Sequence, residues 1–360
     1  STDNHLRFEG DLQMNNLQVS FNQSIFPTET PVPTPTPTFG EPNPLLVGEY
    51  NPGTETLDGP NDVAAVDNYF YVVGSYTDNL LVVDISNPGT PVKVAEYKPG
   101  TDILDYPTLV SAEGDYLYVV NWGSDNYLSI FDIADRTDPN LLASVMVNDA
   151  SAPTKMSVEG DYVYIVGKDT DSMVIVDISD LQNLTTFTYD PNDTDIFDYP
   201  QSVFTNNEYT YIGSSLSNNL LTLDVSDPAA PVVADDHSIS DFSAKDIVVS
   251  SGYLYNAEYE FVEVYDLTDP SAPSWIEQYN AFGIMEIEIN ADYDYLYIYS
   301  WTDFEVVDIS NPHDLSRVVK YAVPGAQGSD QLEELAVEGR YAFVAGKNSD
   351  NVLIIDIFSD

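Results

Sequence analysis

The side chains that could do chemistry in this chain are overwhelmingly carboxylates: 60 Asp and Glu stand against 11 Lys and Arg, a formal charge of −49. Carboxylates can act as general acids and bases in hydrolysis, or as hard oxygen ligands for calcium. No spacing singles out a hydrolytic pair among so many acids. The three histidines, His5, His237 and His313, are scattered with no HxH or HExxH pattern, which argues against zinc. There is no cysteine, so disulfides, thiolate metal sites and cysteine nucleophiles are excluded. GxSxG, P-loop and dinucleotide fingerprints are missing too. No residue is assigned a catalytic role, and the chain reads as a structural or binding protein rather than an enzyme.

The charge balance limits the partners. Phosphate recognition needs clustered Lys and Arg, so nucleic acid is excluded, and anionic lipid is disfavoured for the same reason. No apolar run approaches the 18 or so residues of a membrane helix, so no membrane insertion is expected. Acidity of this degree reads as a solvated, self-repelling surface, and a divalent cation such as calcium is the one cofactor it could hold. Hydrophobic residues at 43% and 26 tyrosines supply a large core. The sequence opens at Ser1 without a charged start or apolar stretch, and is read as a mature chain whose secretion signal has been removed.

The elements that must position these side chains show in a repeat. An apolar run, then Asp, an aliphatic residue, Ser or Thr, and Asn or Asp recurs as LLVVDISNP at Asp84, LSIFDIAD at Asp132 and MVIVDISD at Asp177. It returns as LLTLDVSDP at Asp224, VEVYDLTDP at Asp266, FEVVDISNP at Asp308 and VLIIDIFSD at Asp356. The aspartates lie 48, 45, 47, 42, 42 and 48 residues apart, the spacing of propeller blades. An aromatic pair precedes each copy, from Tyr69 and Tyr71 to Tyr341 and Phe343, with two rings on one strand face against the next blade. The first blade is expected as an inner strand Asp62–Val66, then Tyr69–Gly74, Leu80–Ser86 and an outer strand Val92–Tyr97. The repeated Asp is expected to form a turn as the third strand ends.

The last repeat has no fourth strand, whereas LLVGEYNPG near the front resembles the outer-strand phrase PVKVAEYKPG. A strand over Leu46–Tyr50, with Leu46, Val47 and Tyr50 as its packing residues, is therefore expected to complete blade seven and close an all-β, seven-bladed propeller over residues 45–360.

The LVVDISNP phrase, the YxYV strand before it and the count of seven resemble the LVIVD-repeat family of prokaryotic cell-surface proteins. The resemblance implies a propeller and an extracellular or cell-surface address, with no shared catalytic residues.

With blades assigned, candidate sites can be placed. The loops entering the inner strands carry Asp58, Asp105 and Asp198 at matching positions, and the loops after the second strands carry Tyr76, Trp122 and Trp301 beside Asp78, Asp125 and Asp303. Exposed rings beside carboxylates suit a glycan; the plainer reading is rings packed between loops and aspartates forming turns. Asp62, Asp246, Glu286 and Glu334 begin inner strands near the channel mouth, with Lys155 as counter-charge, and could gather around a calcium or sodium ion. Sequons occur at Asn22, Asn183 and Asn192.

Ahead of the propeller, residues 27–44 form a Pro/Thr-rich spacer, stiff and extended. Before it, residues 1–26 alternate apolar with polar through Leu6, Phe8, Leu12, Met14, Leu17, Val19 and Phe21, the pattern of half-buried β-strands too short to stand alone. This arm either folds back on its own ring or adds strands to a neighbouring copy. The leading expectation is thus an extracellular structural subunit that forms a homo-oligomer or fibre. The alternative is a monomeric surface module that recognises a glycan or protein through its loop face.

Overall fold

The computed structural model describes residues 40–99, 102–191, 196–238, 244–290, 294–301, 303–324 and 332–359. The β-strand arm and the spacer as far as residue 39 lie outside the described residues, as do Asn22 and Asn192.

Seven four-stranded antiparallel sheets form the ring. The inner strands are Pro60–Val66, Pro107–Glu113, Pro153–Glu159, Pro200–Asn206, Asp246–Ser250, Ile284–Asn290 and Leu332–Glu338. Four begin with proline, which a strand tolerates at its first residue because no ladder hydrogen bond is lost there. In blade one the strands that follow are Tyr69–Gly74, Asn79–Asp84 and Val92–Tyr97. The third strand stops at Asp84, two residues short of the expected Ser86. The cause is the Asp84 carboxylate, which accepts the Ser86 N–H at 2.7 Å and turns the chain. The same bond, from the amide two residues on, recurs at Asp132, Asp177, Asp224, Asp266, Asp308 and Asp356.

The core is a set of seven inter-blade interfaces. Along Tyr69–Gly74, Phe70 and Val72 pack toward blade seven while Tyr71 and Val73 pack toward blade two. The second ring of each aromatic pair (Tyr71, Tyr118, Tyr164, Tyr211, Tyr255, Tyr297, Phe343) is buried at such an interface. Strand alternation thus feeds two interfaces from one sheet, which is why the Tyr69–Gly74 strand (YFYVVG) reads as a continuous apolar run.

The ring closes through Leu45–Tyr50, which pairs antiparallel with the last strand, Asn351–Asp356, as the outermost strand of blade seven. A bulge between Leu46 and Gly48 splits its side chains between two interfaces: Leu46 packs toward blade six, Val47 and Tyr50 toward blade one. Tyr50 meets Phe70 edge-on at 5.9 Å. Attachment begins earlier, within the segment read as spacer. Pro42 and Pro44 are buried, and the Asn43 N–H donates to the Ile357 carbonyl at 2.7 Å.

Candidate functional site: the channel and its loop-face mouth

Inner strands surround a central channel, and an irregularity at their starts decides what faces it. In six of the seven, the pairing register slips after the first residue, so Asn61, Thr108, Thr154, Gln201, Met285 and Glu333 are bulged. A bulge re-aims side chains. Here it lets two successive residues serve the channel axis in blades one, two, three and six: Asn61, Thr108, Thr154 and Met285, with Gln201 of blade four and Lys245 of blade five, line a cavity of about 290 Å³ at the mouth. The following residues include Asp62, Lys155, Asp246, Glu286 and Glu334, which line a second cavity of about 410 Å³ deeper in the channel. Lys155, Glu286, Glu334 and Leu109 line both.

Lys155 is the hub of that boundary. Its ammonium contacts Glu286, lies 3.1 Å from Glu334 and 3.5 Å from Asp246. Burial alone would lower its pKa, but the three carboxylates outweigh that and hold it well above the usual lysine value. On the acids, burial dominates. It raises Asp246, and it lifts Glu286 well above the carboxylate range, reinforced by Glu334. Asp62 is also pushed well up by burial and by Glu334, although its two oxygens accept the Val63 and Val110 amides at 2.6 and 2.7 Å. Of the four acids weighed as cation ligands, three therefore converge on an ammonium, and the fourth ties the inner strands of blades one and two together. Among the described residues no group of three acids or histidines is arranged to hold a metal ion.

Glu288 was not singled out from sequence, yet it lines the deeper cavity beside Glu286, and burial pushes its pKa up to about 7. The signal was present: in Ile284–Asn290 (IMEIEIN) residues 286 and 288 share one strand face.

On the loop face the expected aromatics are exposed, Tyr76 at 58%, Trp122 at 41% and Trp301 at 49%. They form two edge-on ladders with rings the sequence reading passed over. Tyr106 sits between Tyr76 (5.6 Å) and Trp122 (5.9 Å), and Tyr259 sits between Phe282 (5.1 Å) and Trp301 (5.9 Å). The aspartates at matching loop positions serve turns: the Asp105 carboxylate accepts the Ser124 N–H at 3.0 Å, and the Asp58 and Asp198 carbonyls accept the Tyr76 and Leu216 amides. Burial, then the neighbouring Asp350 and Asp171, raise Asp58 and Asp198 respectively. Asn183 is exposed, its amide donating to Asp180 at 2.8 Å.

These loops hold strained backbone. The residue before each of four inner-strand prolines has positive φ: Gly59 (61°), Tyr106 (55°), Ala152 (51°) and Tyr199 (58°). Such a conformation costs a non-glycine residue about 1–2 kcal/mol. Three of the four are pinned by a carboxylate from the preceding blade: Asp350 accepts from Gly59 N–H at 3.0 Å, Asp78 from Tyr106 at 3.0 Å and Asp171 from Tyr199 at 2.8 Å.

The repeat agrees with the LVIVD-repeat family model over residues 60–98, 108–147, 152–189, 199–236, 243–281, 288–323 and 331–360. The chain belongs to the LVIVD-repeat family. No relative among proteins of curated function matches it. Solved structures similar to it share the family's ring but little sequence. One is a functionally unknown protein from Desulfotomaculum acetoxidans, at 14% identity and TM-score 0.60, covering 80% of this chain and 98% of that one. Another is a streptogramin B lyase, at 11% identity and TM-score 0.62, covering 88% and 98%. A virginiamycin B lyase from Staphylococcus aureus with quinupristin matches at 11% identity and TM-score 0.62, covering 88% and 99%. At such identities the likeness is one of fold, a ring that also occurs in enzymes.

Proposed function

We propose that this LVIVD-repeat protein is an extracellular, non-enzymatic structural subunit whose arm, residues 1–26, adds strands to the outer blade edge of a neighbouring copy. The observation that carries this reading is the set of outer strands. Among the described residues, Asn140–Met146, Val232–Ser238, Ser274–Asn280 and Ser316–Ala322, with Val92–Tyr97, pair on one side only and expose Met146, Val232, Trp275, Val318 and Val92. Each of these five carries a β-bulge, a device that blunts an edge against further pairing. The closing strand is bulged as well.

Blade three differs. Its outer strand, Thr185–Tyr189 (TTFTY), pairs with Ser172–Asp177 without a register shift. An edge of that kind is the natural acceptor for an added strand, and the alternating arm is the natural donor. The chain enters the ring on the outermost strand of blade seven, so a spacer leading from there starts at the rim. The Pro/Thr tract and the family resemblance support the extracellular address. The absence of catalytic motifs, and channel acids committed to Lys155 and to backbone amides, support a non-enzymatic role.

A peptide of residues 1–26 tests the docking directly. Added to a chain lacking residues 1–39, it is expected to bind and to slow hydrogen exchange at Thr185–Tyr189. Failure to bind, or protection confined to other blades, would contradict blade three as the acceptor.

A further inference from the structure

The described lysines are distributed against the trend of the whole chain. It has seven lysines, and four of them, Lys155, Lys168, Lys245 and Lys347, line the 290 Å³ cavity at the channel mouth. They come from three blades. Lys155 is on the inner strand of blade three, Lys168 follows the strand Tyr162–Gly167, Lys245 precedes the inner strand of blade five, and Lys347 follows Tyr341–Gly346. Of the six described cations outside the cavity, five, Lys93, Lys320, Arg136, Arg317 and Arg340, are ion-paired. Lys168 and Lys245 make no ion pair among the described residues; Lys168 lies 5.5 Å from the centre of the Tyr199 ring. Burial lowers the Lys245 pKa, as expected of an ammonium drawn from water without a counter-ion. The acids of the cavity floor, Glu286 and Glu334, are already engaged by Lys155.

The remaining lining is neither bland nor purely ionic. Asn61, Gln201, Thr108 and Thr154 offer amides and hydroxyls, and Tyr106 and Trp122 form an aromatic wall. Asn61 is half-buried on the cavity wall, where a side-chain amide can meet a ligand hydroxyl. A bare phosphate would use the ammonium groups and leave the amides and the ring unused. A compact molecule that joins one carboxylate to several hydroxyls and a ring face uses all of them, and the volume is at the small end for ligand sites.

We propose that the channel mouth binds one acidic sugar unit, a hexuronate, with its carboxylate among Lys168, Lys245 and Lys347, its hydroxyls on Asn61 and Gln201, and its ring against Trp122. The site involves no part of the arm, so it stands or falls separately from strand addition.

Calorimetry on the full chain with sodium glucuronate, glucose and inorganic phosphate as probes tests it. Glucuronate is expected to bind, with glucose and phosphate each at least tenfold weaker. Lys245→Ala and Lys347→Ala are each expected to weaken glucuronate at least fivefold without lowering the Tm of the free protein, and Trp122→Ala to weaken it similarly. No heat with glucuronate at 10-millimolar order would overturn the proposal. So would phosphate binding as tightly as glucuronate, or affinity indifferent to Lys245 and Lys347 in variants that retain the parent Tm.

Discussion

A chain lacking residues 1–50 is expected to lose cooperative folding, whereas one lacking only residues 1–39 keeps it. The difference is Gly40–Tyr50, and above all the strand Leu45–Tyr50. Without it, the last strand of blade seven has a bare edge, and the interface with blade one loses Val47 and the buried Tyr50. Full burial of an aliphatic or aromatic side chain is worth about 1.5–3 kcal/mol, so the buried Tyr50 with the half-buried Leu46 and Val47 amounts to a large share of a typical domain's net stability. A point change reaches the same joint. Gly48 is at the bulge, and a Cβ there would fall 1.8 Å from the Pro88 carbonyl oxygen, in the third-to-fourth-strand loop of blade one. Gly48→Val is expected to cost at least 3 kcal/mol, on the order of the severe overpacking penalties. Urea unfolding checks both. A sharp transition for the chain lacking residues 1–50, at the midpoint of the chain lacking 1–39, would contradict closure by this strand.

Lys155→Met is the second large effect, and its pH dependence carries the diagnosis. The substitution leaves Asp246, Glu286 and Glu334 gathered in the channel without their ammonium, and breaking a buried charge cluster in this way costs about 3–5 kcal/mol near neutral pH. The direction with pH follows from the acids. Burial already holds Asp246 and Glu286 above their unfolded values, and Lys155 is what lowers them. Its removal raises both further. Between the unfolded carboxylate range near 4 and the raised folded values, the folded variant binds more protons than the unfolded one, so its stability falls as pH rises through that window. Below about pH 4 the acids are neutral in both states and the deficit shrinks. Thermal unfolding of parent and variant is expected to differ by on the order of 5–10 °C at pH 8, with the gap closing toward pH 4. Glu288, with its pKa near 7 in the parent and also held down by Lys155, is raised further in the variant and widens the gap. A deficit constant across that range would mean lost packing rather than unbalanced charge.

Most of the ring was legible because propellers write their fold locally. The turn-forming aspartates, from Asp84 to Asp356, and the aromatic pairs announce each blade, and the unmatched third strand at Asp356 pointed to LLVGEY at the other end. What the sequence could not display was convergence. Lys168, Lys245 and Lys347 are separated by up to 179 positions and line one cavity only because the starts of the inner strands and the ends of the second strands share one face of the ring. The bulges at Asn61 and Thr108 were hidden for a related reason. A one-residue slip leaves no composition signature, yet in four blades it sets a second residue along the channel. Tyr106 and Tyr259 escaped notice because each links aromatics from different blades.

Assembly through the arm is the claim on which the functional reading rests, and negative-stain electron microscopy addresses it most directly. The full chain and a chain lacking residues 1–39, which retains the closing strand, are imaged at equal concentration. Linked rings or fibres from the first and separate single rings from the second are the predicted result. Single rings from both chains would contradict it.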